Sequence, residues 1–108
     1  MLEPLLESEK KEKVLLYIHV HGEAYPMEIA RAFEYYVNTV QNQLQKLENG
    51  GVLYSRLKGK VRLFGMNPRY AFKKELETLL AKALQFIPEA EKERYYTPRL
   101  RPRRTGKP

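Results

Sequence analysis

Apolar side chains recur along this chain at helical spacing in several blocks and alternate with polar ones in a single block. A charged run beginning at Ser8 leads into Val14, Leu15, Leu16, Tyr17, Ile18 and Val20. Ser8 suits an N-cap and Gly22 a C-terminal stop, so a first helix is predicted from Ser8 to His21. Glu23-Ala24-Tyr25 reads as a short loop. Pro26 belongs at the first position of a second helix, where its missing N–H costs nothing. That helix runs to about Glu34 and turns Met27, Ile29, Ala30 and Phe33 toward a core. Tyr35-Tyr36 then forms a turn. Val37, Val40, Leu44 and Leu47 follow at spacings of three, four and three, one stripe of a third helix that Gly50-Gly51 ends. Val52 to Arg56 and Val61 to Gly65 read as two strands joined by a tight turn at Gly59. Asn67-Pro68 breaks the chain, and a fourth helix is predicted from about Tyr70 to Ile87, where Pro88 stops it. The remaining residues, 89–108, carry repeated like charge and three prolines within residues 98–108, and read as an extended, independent tail.

A length of 108 residues fits one domain, here residues 1–88, with the tail over 89–108. No cysteine is present, which removes disulfides, thiolate metal sites and thiol nucleophiles together. No apolar run nears the roughly 20 residues that span a bilayer, and the N-terminus lacks a signal-peptide pattern. A cytoplasmic protein without a membrane partner is the expectation. The net charge of +7 is unevenly placed. Residues 55–74 hold seven basic groups and no acidic one, and residues 94–108 hold six and none, while the rest is mildly acidic. Two cationic segments on an acidic body favour a polyanionic partner, although a solvated, solubilising surface has the same composition.

Helix, helix, turn, helix, hairpin, helix is the order of a winged helix-turn-helix. The stretch from Val40 to Leu53, VQNQLQKLENGGVL, resembles the recognition-helix-to-wing segment of ArsR- and MarR-like regulators. Val40, Leu44, Leu47, Gly51, Val52 and Leu53 occupy its apolar and glycine slots. Met27-Glu28-Ile29-Ala30-Arg31-Ala32-Phe33 is similar to the second helix of those families. Asn67-Pro68 followed by Phe72, Glu75 and Leu76 looks like their wing exit. The resemblance covers about residues 8–87. It implies an α+β, mostly helical winged helix-turn-helix with a two-stranded wing and a C-terminal helix, followed by the basic extended tail.

With the stripe of the third helix buried, Asn38, Thr39, Gln41, Asn42 and Gln45 face outward. Amides pair bidentately with adenine in the major groove, and a threonine methyl meets that of thymine. An ordinary solvated helix favours Glu–Lys pairs at such positions, so this face is the candidate base reader. Arg56, Lys58, Lys60 and Arg62 on the hairpin are candidate phosphate contacts, without an acidic neighbour in sequence. The competing reading is an edge strand guarded by lysines. Arg69, Lys73 and Lys74 extend the same patch. On the fourth helix Phe72, Leu76, Leu79, Leu80, Ala83, Leu84 and Ile87, with Phe86, spread beyond one apolar face. They point to a homodimer, as terminal helices form in the resembled families, or else to packing on the first helix and Leu5-Leu6. In the tail, Arg99, Arg101, Arg103 and Arg104 are candidate minor-groove contacts. An RNA-binding arm, with Tyr95 and Tyr96 stacking on bases, or a solubilising end remain alternatives.

Catalytic constellations are missing from the sequence: no P-loop, no dinucleotide-binding glycine pattern and no HExxH. His19 and His21 project about 200° apart on a helix and cannot share a metal. Glu28, Glu34, Glu75 and Glu77 read as surface charges. The expectation is therefore a non-enzymatic, metal-free and cofactor-free binder of double-stranded DNA, a repressor-like transcriptional regulator acting as a homodimer. The rival is a winged-helix protein-interaction adaptor or an RNA-binding module.

Overall fold

In the computed structural model, which describes residues 2–97, the order of elements is α1 (Glu3–Leu6), α2 (Glu9–His21), β1 (Glu23–Ala24), α3 (Pro26–Phe33), α4 (Val37–Asn49), β2 (Leu53–Lys58), β3 (Val61–Met66), α5 (Lys73–Leu84) and α6 (Glu89–Tyr95). Local chemistry accounts for most boundaries. Ser8 caps α2, its Oγ accepting the Lys11 N–H at 3.0 Å, and Gly22 closes it at φ 89°, open only to glycine at no cost. Pro26 begins α3, and the Glu28 carboxylate reaches back 3.4 Å to the Tyr25 N–H. Glu28 also accepts the Tyr17 hydroxyl at 2.8 Å, so it is an internal tie and not the plain surface charge its sequence context suggests.

The two-stranded wing is present as β2 and β3, and a third strand joins it. Glu23-Ala24, read as loop, pairs antiparallel with β3, giving the order β1-β3-β2. Two residues carry no periodicity, and only the return of β3 beside them supplies the ladder. β2 and β3 pair from Leu53↔Met66 to Lys58↔Val61, and Gly59 at φ 65° makes the turn.

The core forms around α2. Val14, Leu15, Leu16 and Ile18 pack with Ile29, Val40, Leu44, Leu53, Phe64 and Leu80, each of them buried. This buried stripe is what orients α4, since Val40, Leu44 and Leu47 must point inward. Met27, expected inside, is 41% exposed.

Helix α5 is shorter than the span from Tyr70 to Ile87. The Asn67 side chain holds the turn after Pro68, accepting the Arg69 N–H at 3.0 Å, so helical geometry starts at Lys73. Residues 89–97 correct the expected tail. Pro88 is no final stop: α6 follows it, and Tyr96, 4% exposed, enters the core. Tyr95 stacks on Phe33 with ring centroids 4.6 Å apart, and its carbonyl lies 3.1 Å from His21 Nε2. Aromatic burial outweighs the local charge that argued for an extended chain. The described part of the charged stretch is therefore body and not tail.

Candidate nucleic-acid interface

Helix α4 presents the proposed reading face to solvent. Asn38, Gln41, Asn42 and Gln45 are exposed and Thr39 is half-buried. Gln45 Nε2 donates to Asn49 Oδ1 at 3.1 Å; the other amides of this face make no hydrogen bond among the described residues. Lys46 and Asn49, four and seven positions after Asn42, are exposed on the same side and extend the face. Helical spacing from Asn42 would have found both. Gln43 lies at the margin of the core, and its buried Oε1 has no hydrogen-bond partner among the described residues.

The wing is tied to α4 by side chains rather than by the backbone ladder alone. Ser55 Oγ donates to Glu48 Oε2 at 2.6 Å, and Arg62 Nη1 donates to Ser55 Oγ at 3.0 Å. This relay fixes the hairpin against the C-terminal half of the helix that carries the amides.

The four wing cations separate into two kinds. Lys58 and Lys60 are exposed near the hairpin tip and make no ion pair among the described residues. Arg56 does have an acidic partner, contrary to expectation. Its Nε and Nη2 both reach the Glu23 carboxylate at 2.8 Å, a fork-on-carboxylate pair. Glu23 also accepts the Tyr54 hydroxyl. The Arg56 guanidinium and the Tyr54 hydroxyl bonded to it hold the Glu23 carboxyl down at about 2, and the carboxylate in return raises the Tyr54 hydroxyl above the usual phenol range. Glu23 and Arg56 stand 33 residues apart, so no local pattern linked them. Arg56 is thus paired with a carboxylate, whereas Lys58, Lys60 and Arg62 make no ion pair among the described residues, and Lys58 acts on Glu23 only through its charge at longer range. Of the further cations, Arg69 is exposed, Lys74 is exposed and Lys73 pairs with Glu77 at 3.1 Å.

This carboxylate cluster depends on a glycine. Glu23, Gly65 and Tyr54 form one row across the three strands. The Tyr54 ring lies directly over Gly65: a Cβ there would stand 2.8 Å from its Oη and 2.9 Å from Cε2 and Cζ. Only a missing side chain in the central strand lets the tyrosine cross to β1.

The fourth-helix set divides as well. Leu80 and Ala83 of α5, which packs on α2, and Ile87 beyond its end are buried in the core of the chain itself. Leu76, Leu79 and Leu84 are partly buried at the core margin, while Phe72 and Phe86 are each 62% exposed. Arg99, Arg101, Arg103 and Arg104 lie outside the described residues. Among the described residues no group of three or more His, Asp or Glu side chains is placed to hold a metal ion, and no helix is long and apolar enough to cross a membrane.

No protein-family model matches the sequence, and no curated protein matches it. Solved structures do match in three dimensions. MepR, a transcription regulator of the Staphylococcus aureus multidrug efflux pump MepA, superposes with a TM-score of 0.59 at 21% identity, over 85% of this chain and 74% of MepR. The S. aureus MepR-DNA complex gives 0.54 at 20% identity over the same shares. Lactococcus lactis ZitR, as the C30AH42A mutant, gives 0.56 at 16% identity, over 80% of this chain and 66% of ZitR. The helix order, the buried stripe of α4 and the β2–β3 hairpin, together with these superpositions, establish that the chain has the winged helix-turn-helix fold.

Proposed function

We propose that this protein binds double-stranded DNA in a sequence-specific manner as a repressor-like, homodimeric transcriptional regulator of the cytoplasm, and that it is a binder and not an enzyme. One observation carries the reading: α4 turns Asn38, Gln41 and Asn42, whose amides make no hydrogen bond among the described residues, to solvent beside a hairpin whose tip holds Lys58 and Lys60, neither of them in an ion pair there. Amides meet base edges in the major groove, and the lysines meet phosphates. MepR, a transcription regulator, shares this fold and is seen in a complex with DNA.

The dimer reading rests on what the fold leaves uncovered. Phe72 and Phe86 stay in water at the two ends of α5, and burial of two aromatic side chains favours a second copy there. Two-fold pairing sets two α4 helices about one DNA turn apart, roughly 34 Å, and calls for a near-palindromic site. The basic residues 99–104 add a sequence-independent grip.

The test is selection of duplexes from a random pool by the purified chain, then titration of variants on the enriched and on bulk DNA. Gln41→Ala or Asn42→Ala is expected to cost about 1–3 kcal/mol on the enriched site and little elsewhere. Replacing Lys58 and Lys60 by Gln is expected to weaken every sequence alike and to flatten the salt dependence. No enrichment, or equal losses for both classes on every duplex, contradicts base reading by α4.

A further inference from the structure

Between α3 and the turn into α4 lies an open depression of about 440 Å³, lined by Met27, Ala30, Arg31, Glu34, Tyr35 and Tyr36. None of its residues belongs to the amide face or to the wing. Tyr36 precedes the first residue of α4 and is 87% exposed. Neither its ring nor its hydroxyl has a partner among the described residues, whereas Tyr35 beside it stacks on Phe33 at 5.8 Å. A tyrosine in this place gives up both burial and the side-chain cap that Ser, Thr, Asp or Asn would supply. Arg31 is exposed and makes no ion pair among the described residues. The acid of the lining, Glu34, lies instead 3.9 Å from Arg94 Nη2.

We propose that this depression seats a phosphate of the DNA backbone at the edge of the groove that α4 enters, with the Arg31 guanidinium and the Tyr36 hydroxyl as its donors. The inference rests on the DNA-binding reading above and adds a second anchor to it. Arginine carries only donors, in a fork that matches two phosphate oxygens, and the phenol supplies a third. Met27 and Ala30 form an apolar floor suited to deoxyribose. Tyr36 lies two residues before Asn38, so a backbone held there sets how deeply the amides of α4 enter the groove. Phosphate contacts fix register in this way without reading sequence.

The full-length chain with Arg31→Gln, with Tyr36→Phe and with both is titrated against a fluorescent random-sequence duplex of about three helical turns over a range of salt. Both side chains are exposed, and thermal unfolding is expected to be unchanged. Arg31→Gln is expected to weaken binding about tenfold and to lower the slope of log K against log salt by about 1. Tyr36→Phe, which removes no charge, weakens binding severalfold at unchanged slope, and the double variant loses less than the product of the two. Wild-type affinity for Arg31→Gln, or weakening without a change of slope, overturns the phosphate seat. If the Lys58→Gln, Lys60→Gln variant still weakens binding in that case, the DNA reading survives without the seat. A wild-type chain that binds no duplex at low salt removes both.

Discussion

Gly65→Ala is a single methyl placed under the tyrosine that braces the wing. The added Cβ would meet Tyr54 Oη at 2.8 Å and two ring carbons at 2.9 Å, distances at which something must move. Backbone pairing on both sides holds Gly65, so the ring is what yields. If it swings away, the chain loses a hydrogen bond to a carboxylate, about 1.5–3 kcal/mol. If it stays, overpacking costs about 1–3 kcal/mol. These are alternatives and do not add. Against either stands the gain of replacing glycine in a strand, about 0.5–1 kcal/mol. The net expectation is a loss of about 1–2 kcal/mol, a drop in Tm on the order of 10 °C for a domain of this size. The informative assay is a double-mutant cycle by thermal or denaturant unfolding. With Tyr54→Ala in place the three nearest obstacles are gone. Gly65→Ala should then be neutral or stabilising by up to about 1 kcal/mol. An equal loss in both backgrounds would refute the account, because the cost would then lie in the glycine backbone and not in the Tyr54 crossing.

Three further outcomes are expected. Glu23 has its pKa depressed to about 2 from an ordinary 4.5, so its contribution to stability is complete above about 4.5 and fades as pH falls toward 2. Unfolding titrations should show Glu23→Gln less stable than wild type at neutral pH, with the difference closing in acid; a constant difference contradicts the pairing. Tyr96→Ala removes a ring that is 4% exposed and should cost about 3 kcal/mol in an unfolding titration; an unchanged midpoint contradicts its place in the core. Leu80→Ala should cost about 2–5 kcal/mol as a core cavity at any protein concentration. Phe72→Ser with Phe86→Ser should instead lower the mass seen by light scattering and leave the monomer folded. A monomeric wild-type chain would dismiss the dimer reading.

The chain's own pattern was enough for α2, α3 and α4, for the hairpin and for the exposed amide side of α4. The stripe of Val40, Leu44 and Leu47 can be buried in only one rotation of α4, and that rotation delivers Asn38, Gln41 and Asn42 to solvent without further information. Ser8, Gly22, Pro26 and Gly59 mark their boundaries because caps and turns are short-range chemistry acting within a few residues. Charge could be counted from sequence, but its availability could not. Arg56 looked free because its neighbours in the chain are not acidic; Glu23 is 33 positions away and meets it only through β3.

Long-range pairing explains the other differences too. β1 exists because β3 returns beside it, and Gly65 has its meaning only when Tyr54 and Glu23 flank it in one row. The fourth helix shows an apolar excess that sequence could not divide. Tertiary packing alone assigned Leu80, Ala83 and Ile87 inward and left Phe72 and Phe86 outside. Residues 89–96 read as polar tail because their local composition is charged. The aromatic contacts of Tyr95 and Tyr96 with Phe33, made across more than half the chain, hold them on the body. Local chemistry thus determined what each segment could become, and contacts between distant segments decided which charges and apolar surfaces remained for a partner.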